Sequence, residues 1–207
     1  MSLFITFEGG EGSGKSTQAR VLHQRLSSKG IPALLTYEPG GTPLGQQIRR
    51  WLKGTGDIDP QAELLLFTAS RAQLVATVIR PALKSGTVVI CDRFYHSTIA
   101  YQGYGRGFSL ELIQTTNNFA TGGLQPDLTV LLDLPVEYGL SRKTPGDRFE
   151  REETAFHQRV RNGYLEIANG DPERWLLIDG SLSKKEIERI IWERIEQLLT
   201  LSRFRLV

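Results

Sequence analysis

Gly9, Gly10, Glu11, Gly12, Ser13, Gly14, Lys15, Ser16 and Thr17 fit the pattern G-x-x-x-x-G-K-[ST]. That spacing suits a polyphosphate. The glycines let the main chain curl so that its N–H groups converge on phosphate oxygens. The lysine brings a positive charge to the β- and γ-phosphates, and the Ser16 hydroxyl can ligate Mg²⁺. An apolar, β-rich run at 3–7 precedes the motif, and Gln18 to Leu22 continue it as a helix whose N-terminus also attracts anions. The expected element is a phosphate-binding P-loop.

Further charges bear on what would receive a phosphoryl group. Two like unit charges 4 Å apart repel by about 1 kcal/mol even in water, and by more in a dry cleft. An enzyme that phosphorylates another phosphate therefore needs cations besides Lys15. Arg71 lies in a long helical stretch, Arg93 at a strand end, and Arg142, Lys143, Arg148 and Arg151 crowd one short segment. Thr144, Pro145 and Gly146 break that segment, which reads as a mobile lid at about 142–153 rather than a solvated, salt-bridged helix start. Asp92 closes the run Val88, Val89, Ile90 and Cys91, where a carboxylate can hold Mg²⁺ through water. Phe67 and Arg71 stand four residues apart, so one helix face offers an apolar plate and a planar donor fork to a heterocyclic base.

Five apolar runs at 3–7, 33–37, 87–91, 128–132 and 175–178 read as buried parallel strands. Helical patterns fill the gaps. Ala19, Leu22 and Leu26 share a face that ends at Lys29 and Gly30, and Asp59 with Pro60 starts a long helix. Phe156, Val160, Tyr164 and Ile167 keep helical spacing up to Gly170. Ser183 and Glu186 form a capping box before the stripe Ile187, Ile190, Ile191, Ile195 and Leu198. Strands alternating with helices predict an α/β fold with a parallel sheet, whose ligands bind beyond the carboxyl ends of the strands. Polar residues follow each run: the P-loop, then Glu38 to Thr42, Asp92 with Arg93, Asp133, and Asp179 with Gly180.

The chain of 207 residues suits one domain, 1–207, and its formal charge of +2 is too balanced for a nucleic-acid or membrane-surface binder. The single cysteine, Cys91, excludes an internal disulfide and a CxxC metal pair. No basic-then-apolar leader opens the chain and no 18-residue apolar run is evident, so a cytoplasmic protein is expected.

Several strings occur in order: Phe7 to Thr17, Glu38 to Thr42, the Phe67 and Arg71 helix, Asp92 and Arg93 followed by Ser97 to Gly103, and Pro126 to Asp133. Together they resemble the bacterial thymidylate kinases, P-loop nucleoside monophosphate kinases, over about residues 3–200. The resemblance implies phosphorylation of dTMP to dTDP by Mg²⁺-ATP in dTTP biosynthesis, a five-stranded sheet in the order 2-3-1-4-5 flanked by helices, and commonly a homodimer. It implies that Phe67 stacks on thymine, that Arg71 bonds its edge, and that Ser97 and Gln102 complete the base pocket. Tyr101 would crowd the ribose 2′ position, and Glu11 would reach the 3′-hydroxyl. Arg49 and Arg93 would meet the acceptor phosphate, with Pro39 shaping the turn and Glu38 near acceptor and metal. The P-loop carries no basic residue at its variable positions, so the chain is similar to the variant with an arginine in the lid. Arg148 leads for the transferring group, with Arg142 and Arg151 second. Two departures stand out: Tyr37 replaces the arginine many relatives have before Glu38, and the lid is a few residues shorter.

A phosphate monoester is mostly dianionic at neutral pH and needs no general base, and His23, His96 and His157 are scattered. Alignment and charge neutralisation by Lys15, Mg²⁺ and lid arginines would carry the transfer. Other readings are another P-loop kinase of nucleotides or nucleosides, a GTPase switch, which would need an N-K-x-D that is absent, and a non-catalytic nucleotide scaffold, which fits poorly with Lys15, Ser16 and Asp92.

Overall fold

Five strands, β1 (Phe4–Glu8), β2 (Ala33–Tyr37), β3 (Val88–Asp92), β4 (Leu128–Asp133) and β5 (Trp175–Asp179), pair in parallel in the order β2-β3-β1-β4-β5. The computed structural model describes residues 2–54, 56–142, 146 and 148–204. Lys143, Thr144, Pro145 and Asp147 of the expected lid lie outside the described residues. Four of the five strands run one residue further than the apolar runs. The ladder continues while the side chain turns polar: Glu38 N–H donates to the Asp92 carbonyl (3.0 Å) and Arg93 N–H to that of Phe7 (2.9 Å).

The helices are α1 (Lys15–Ser28), α2 (Pro43–Leu52), α3 (Pro60–Leu74), α4 (Arg80–Lys84), α5 (Tyr95–Thr98), α6 (Leu110–Thr121), α7 (Val136–Ser141), α8 (Thr154–Gly170) and α9 (Lys184–Phe204). Ile5, Phe7, Ile90 and Val130 pack under α1 and α9. Phe4, Val89 and Cys91 meet the end of α3 on the other face, and Leu131 and Trp175 meet α8. Burial on both faces explains why the strands read as unbroken apolar runs.

The caps are local. Gly14 in the left-handed conformation precedes α1, the Thr42 hydroxyl accepts from Gly45 N–H (3.0 Å) before α2, and Asp59 accepts from Gln61 N–H (2.8 Å) before α3. Ser183 and Glu186 exchange bonds across the first turn of α9 (3.0 and 3.3 Å). Two π-helical turns, at Val75–Ile79 and Ile99–Gly105, interrupt the regular helices. A Cβ on Gly105 would sit 2.7 Å from the Phe156 ring, and one on Gly163 would sit 2.6 Å from Tyr104. Glycine is what lets α8 approach the second π turn.

The helical run Pro60–Lys84 has a mean hydropathy of 1.4 over an 18-residue window, long and apolar enough by composition to cross a membrane. This corrects the expectation that no such stretch exists. The run nevertheless carries the buried ionic residues Glu63 and Arg71 and packs on α2 and α6, as a core helix does.

Candidate active site

The carboxyl ends of β1, β2 and β3 open onto one cavity of about 750 Å³. The other two strand ends do not reach it. Asp133 is clamped by Arg161 (2.7 and 2.8 Å), and Asp179 caps a turn by accepting from Ser181 N–H (2.8 Å). Those carboxylates are structural.

Gly9, Gly12 and Gly14 adopt φ of 143°, 69° and 91°. At Gly12 the need for glycine is also steric, because a Cβ would lie 2.1 Å from the Gly139 carbonyl oxygen. Lys15 is buried and donates to the Gly10 carbonyl (2.7 Å). Burial, then repulsion from Arg93, lowers its pKa to about 8, while Glu11, Asp92 and Glu8 pull the other way. Ser13, Ser16 and Thr17 line the same cavity, as does Asp92, whose Oδ1 is buried without a hydrogen-bond partner.

Arg93 is the organising cation. It is the only non-glycine among the described residues at positive φ (69°). Its guanidinium donates to Glu11 (2.6 Å), Tyr101 (3.2 Å), Ser97 (3.2 Å), Tyr164 (3.3 Å) and the Gly9 carbonyl (3.2 Å). Glu8, fully buried at the end of β1, fixes the same turn. It accepts from Phe94 N–H (2.8 Å), the Ser97 hydroxyl (2.6 Å) and the Tyr164 hydroxyl (2.8 Å). Burial raises the Glu8 pKa, against those donors and Arg93. Sequence reasoning gave Glu8 and Tyr164 no role; the only signal was a carboxylate ending an apolar strand.

Arg49 lies across the cavity. It donates to the Pro39 carbonyl (3.0 Å), and its guanidinium stands 5.3 Å from the centre of the Tyr37 ring. Tyr37 thus faces Arg49 where a second cation was expected in relatives. Phe67, Ser97, Tyr101 and Gln102 line the wall beyond.

Three expectations change. Arg71 does not line the cavity. It is buried one helical turn deeper than Phe67, donating to Glu38 (2.8 Å), Asn117 (2.7 Å) and the Phe94 carbonyl (3.3 Å). Its fork is engaged by these protein groups. Glu38 reaches the cavity, but one oxygen is held by Arg71, and burial pushes its pKa up to about 7 despite that partner. Of the lid arginines, Arg142 lines the cavity and donates to the Gly12 carbonyl (3.4 Å). Arg148 instead pairs with the buried Glu63 of α3 (2.5 Å), and Arg151 lies on the surface, donating to the Gly146 carbonyl (3.5 Å).

The histidines stand aside. His96 is buried between Tyr95 and Trp175, and burial followed by Arg71 and Arg174 lowers its pKa to about 3. His23 lies against the Ala33 carbonyl (3.2 Å). His157 is buried and its pKa is lowered mainly by that burial. None of the three lines the cavity.

A family model described as thymidylate kinase matches residues 7–191. A thymidylate kinase of Dehalococcoides mccartyi is 52% identical over 205 residues, covering 97% of this chain and 99% of the relative. One of Thermomicrobium roseum is 47% identical over 207 residues, covering 98% and 99%. The crystal structure of thymidylate kinase from Ehrlichia chaffeensis superposes with a TM-score of 0.77 at 36% identity, covering 95% of this chain and 98% of that one. With its P-loop and an arginine-lined far wall on one parallel sheet, the chain belongs to the thymidylate kinase family.

Proposed function

We propose that this chain transfers the γ-phosphoryl group of ATP to dTMP, giving ADP and dTDP for dTTP synthesis. The observation that carries the reading is a single cavity with the P-loop at one end, Arg49 and Arg93 at its side, and the Phe67 ring beyond them. P-loop residues 9–17 and Lys15 hold the ATP phosphates. Arg49 and Arg93 hold the dTMP phosphate, Glu11 and Tyr101 face the sugar, and Phe67, Ser97 and Gln102 face the base. Arg71 acts beneath the site and Glu38 at its floor, as a buried ion pair next to the turn at Pro39.

The donor set fits Mg²⁺. Asp92 Oδ1 is an unpartnered buried oxygen of a residue that lines the same cavity as the P-loop serines, and hard oxygen donors with substrate phosphates are what that ion prefers. Among the described residues no cluster of three or more His, Cys, Asp or Glu could hold a metal without the nucleotide. Ser16 and, through water, Asp92 would hold the ion, which supplies charge neutralisation between the phosphates.

The chain is read as one domain whose segment 142–153 closes as a lid. Because Arg142 is the lid arginine at the P-loop and Arg148 is held by Glu63, the contact to the transferring group goes to Arg142. Replacing Arg142 with alanine is expected to lower kcat about a hundredfold or more with ATP binding largely kept. The Arg148→Ala variant should keep kcat within about tenfold and raise KM for dTMP. Steady-state kinetics with both substrates varied decide it; the reverse pattern returns the role to Arg148.

A homodimer is the assembly this reading favours. Leu44, Trp51, Leu65, Leu112 and Phe119 are exposed on α2, α3 and α6, which pack side by side. Sedimentation equilibrium should give twice the 23.2 kDa chain mass; a monomer at micromolar concentration sinks it. The balanced charge and the buried ionic residues of α3 favour a cytoplasmic enzyme with neither nucleic acid nor membrane as partner.

A further inference from the structure

Glu63 sits in α3 with no exposed surface, four residues before Phe67. Three groups converge on its carboxylate. Gln102 donates from Nε2 to Oε1 (2.6 Å), Arg148 pairs with Oε2 (2.5 Å), and Arg106 approaches Oε2 (3.2 Å) and Oε1 (3.4 Å). Arg106 is itself tied to Glu152 (2.6 Å). With two guanidinium groups against it, Glu63 is an ion-paired carboxylate that offers lone pairs and no proton.

We infer that Glu63 is a positioning residue that sets the polarity with which Gln102 reads the base. A glutamine amide can present either its NH₂ or its oxygen, and only its surroundings decide which. A carboxylate accepts and cannot donate, so it captures Nε2. The amide oxygen is left for the cavity wall, where no described residue donates to it. An acceptor there recognises a pyrimidine with a proton on N3, as in thymine and uracil. Cytosine carries a lone pair at N3 and would set lone pair against lone pair. A site built to bond a substrate N–H rejects an analogue lacking it far more strongly than a size difference could. Glu63 thus selects imide-type pyrimidines without touching them. This rests on Phe67 and Gln102 forming the base pocket.

The Glu63→Gln variant tests it, because a neutral amide can face Gln102 with either end. The ratio of kcat/KM for dTMP to that for dCMP should fall about tenfold or more, mostly through a higher KM for dTMP. Glu63→Asp retains an acceptor-only group and should keep the preference even with weaker binding. An unchanged ratio in Glu63→Gln, or equal loss of the ratio in both variants, overturns the inference while leaving dTMP as substrate. A wild-type enzyme that uses dCMP as well as dTMP overturns the base-pocket reading and the inference with it. If Glu63→Gln does not fold, hydrogen exchange of the Gln102 side-chain NH₂ in the free wild-type enzyme replaces it. Slow exchange supports a captured Nε2, and exchange at the rate of an exposed amide refutes it.

Discussion

Replacing Arg93 with alanine is expected to lower kcat/KM for dTMP about a thousandfold. On the proposed reading Arg93 exchanges bonds to protein for two charge-assisted bonds to the acceptor phosphate, each worth roughly 1.5–3 kcal/mol, and their removal accounts for that loss. A second effect acts in the same direction. The Arg93 guanidinium holds Glu11, Tyr101, Ser97 and Tyr164 in one network, so its removal also loosens the groups proposed to face the sugar. Lysine should restore only a small part of the activity, since a point charge cannot replace a planar fork with five partners. The backbone gives a control. A non-glycine at φ 69° carries about 1 kcal/mol of strain, which alanine keeps and glycine relieves. Arg93→Gly should therefore be as inactive as Arg93→Ala while melting at a higher temperature. Initial-rate kinetics with dTMP varied, beside thermal melts, check both statements. Activity within about tenfold of wild type would leave Arg49 as a sufficient clamp.

The parts of this site that were legible in the sequence are those whose chemistry is local. The P-loop lies within nine consecutive residues and its glycine pattern is dictated by backbone geometry at Gly9, Gly12 and Gly14. The strands were legible because both faces of the sheet are buried, which writes each strand as an apolar run. Their last residues were missed because Glu8, Asp92, Asp133 and Asp179 are polar while still bonded in the ladder. The two π turns were not legible, since hydrophobic spacing assumes 3.6 residues per turn. Thr42 and Pro43 carry an N-terminal signal for α2, a capping hydroxyl followed by proline.

Side-chain pairing across the chain was the harder part. Glu63 finds Gln102, Arg106 and Arg148 at separations of 39, 43 and 85 residues, and nothing in the sequence around it marks that meeting. Arg71 shows a subtler limit. Spacing of four residues does put it on the Phe67 side of α3, but one turn along the axis separates the cavity wall from the interior. There the nearest carboxylate is Glu38, and a buried guanidinium without a partner would be costly, so the pair forms below the cavity. A shared helix face does not decide how deep each of two residues lies; position along the axis does.

That distinction of depth also governs Lys15, where the largest pH effect is expected. The amine is buried, its pKa is lowered to about 8 by burial and Arg93, and it rests on the Gly10 carbonyl (2.7 Å). In the nucleotide-free enzyme its charge is therefore present below pH 8 and lost above it. The pH profile of kcat/KM for ATP reports groups of the free enzyme, so it should fall on the alkaline side with a midpoint near 8. Bound phosphates favour the ammonium form, so the corresponding limb in kcat should lie at higher pH. Lys15→Ala is expected to lower kcat about a thousandfold and to abolish the alkaline limb. Arginine at this position stays charged throughout, so the limb near 8 should also vanish there, with activity still low because the fork does not fit the curled loop. An alkaline limb near pH 8 that survives in Lys15→Ala would assign the titration to another group and break the link between the burial of this lysine and its charge.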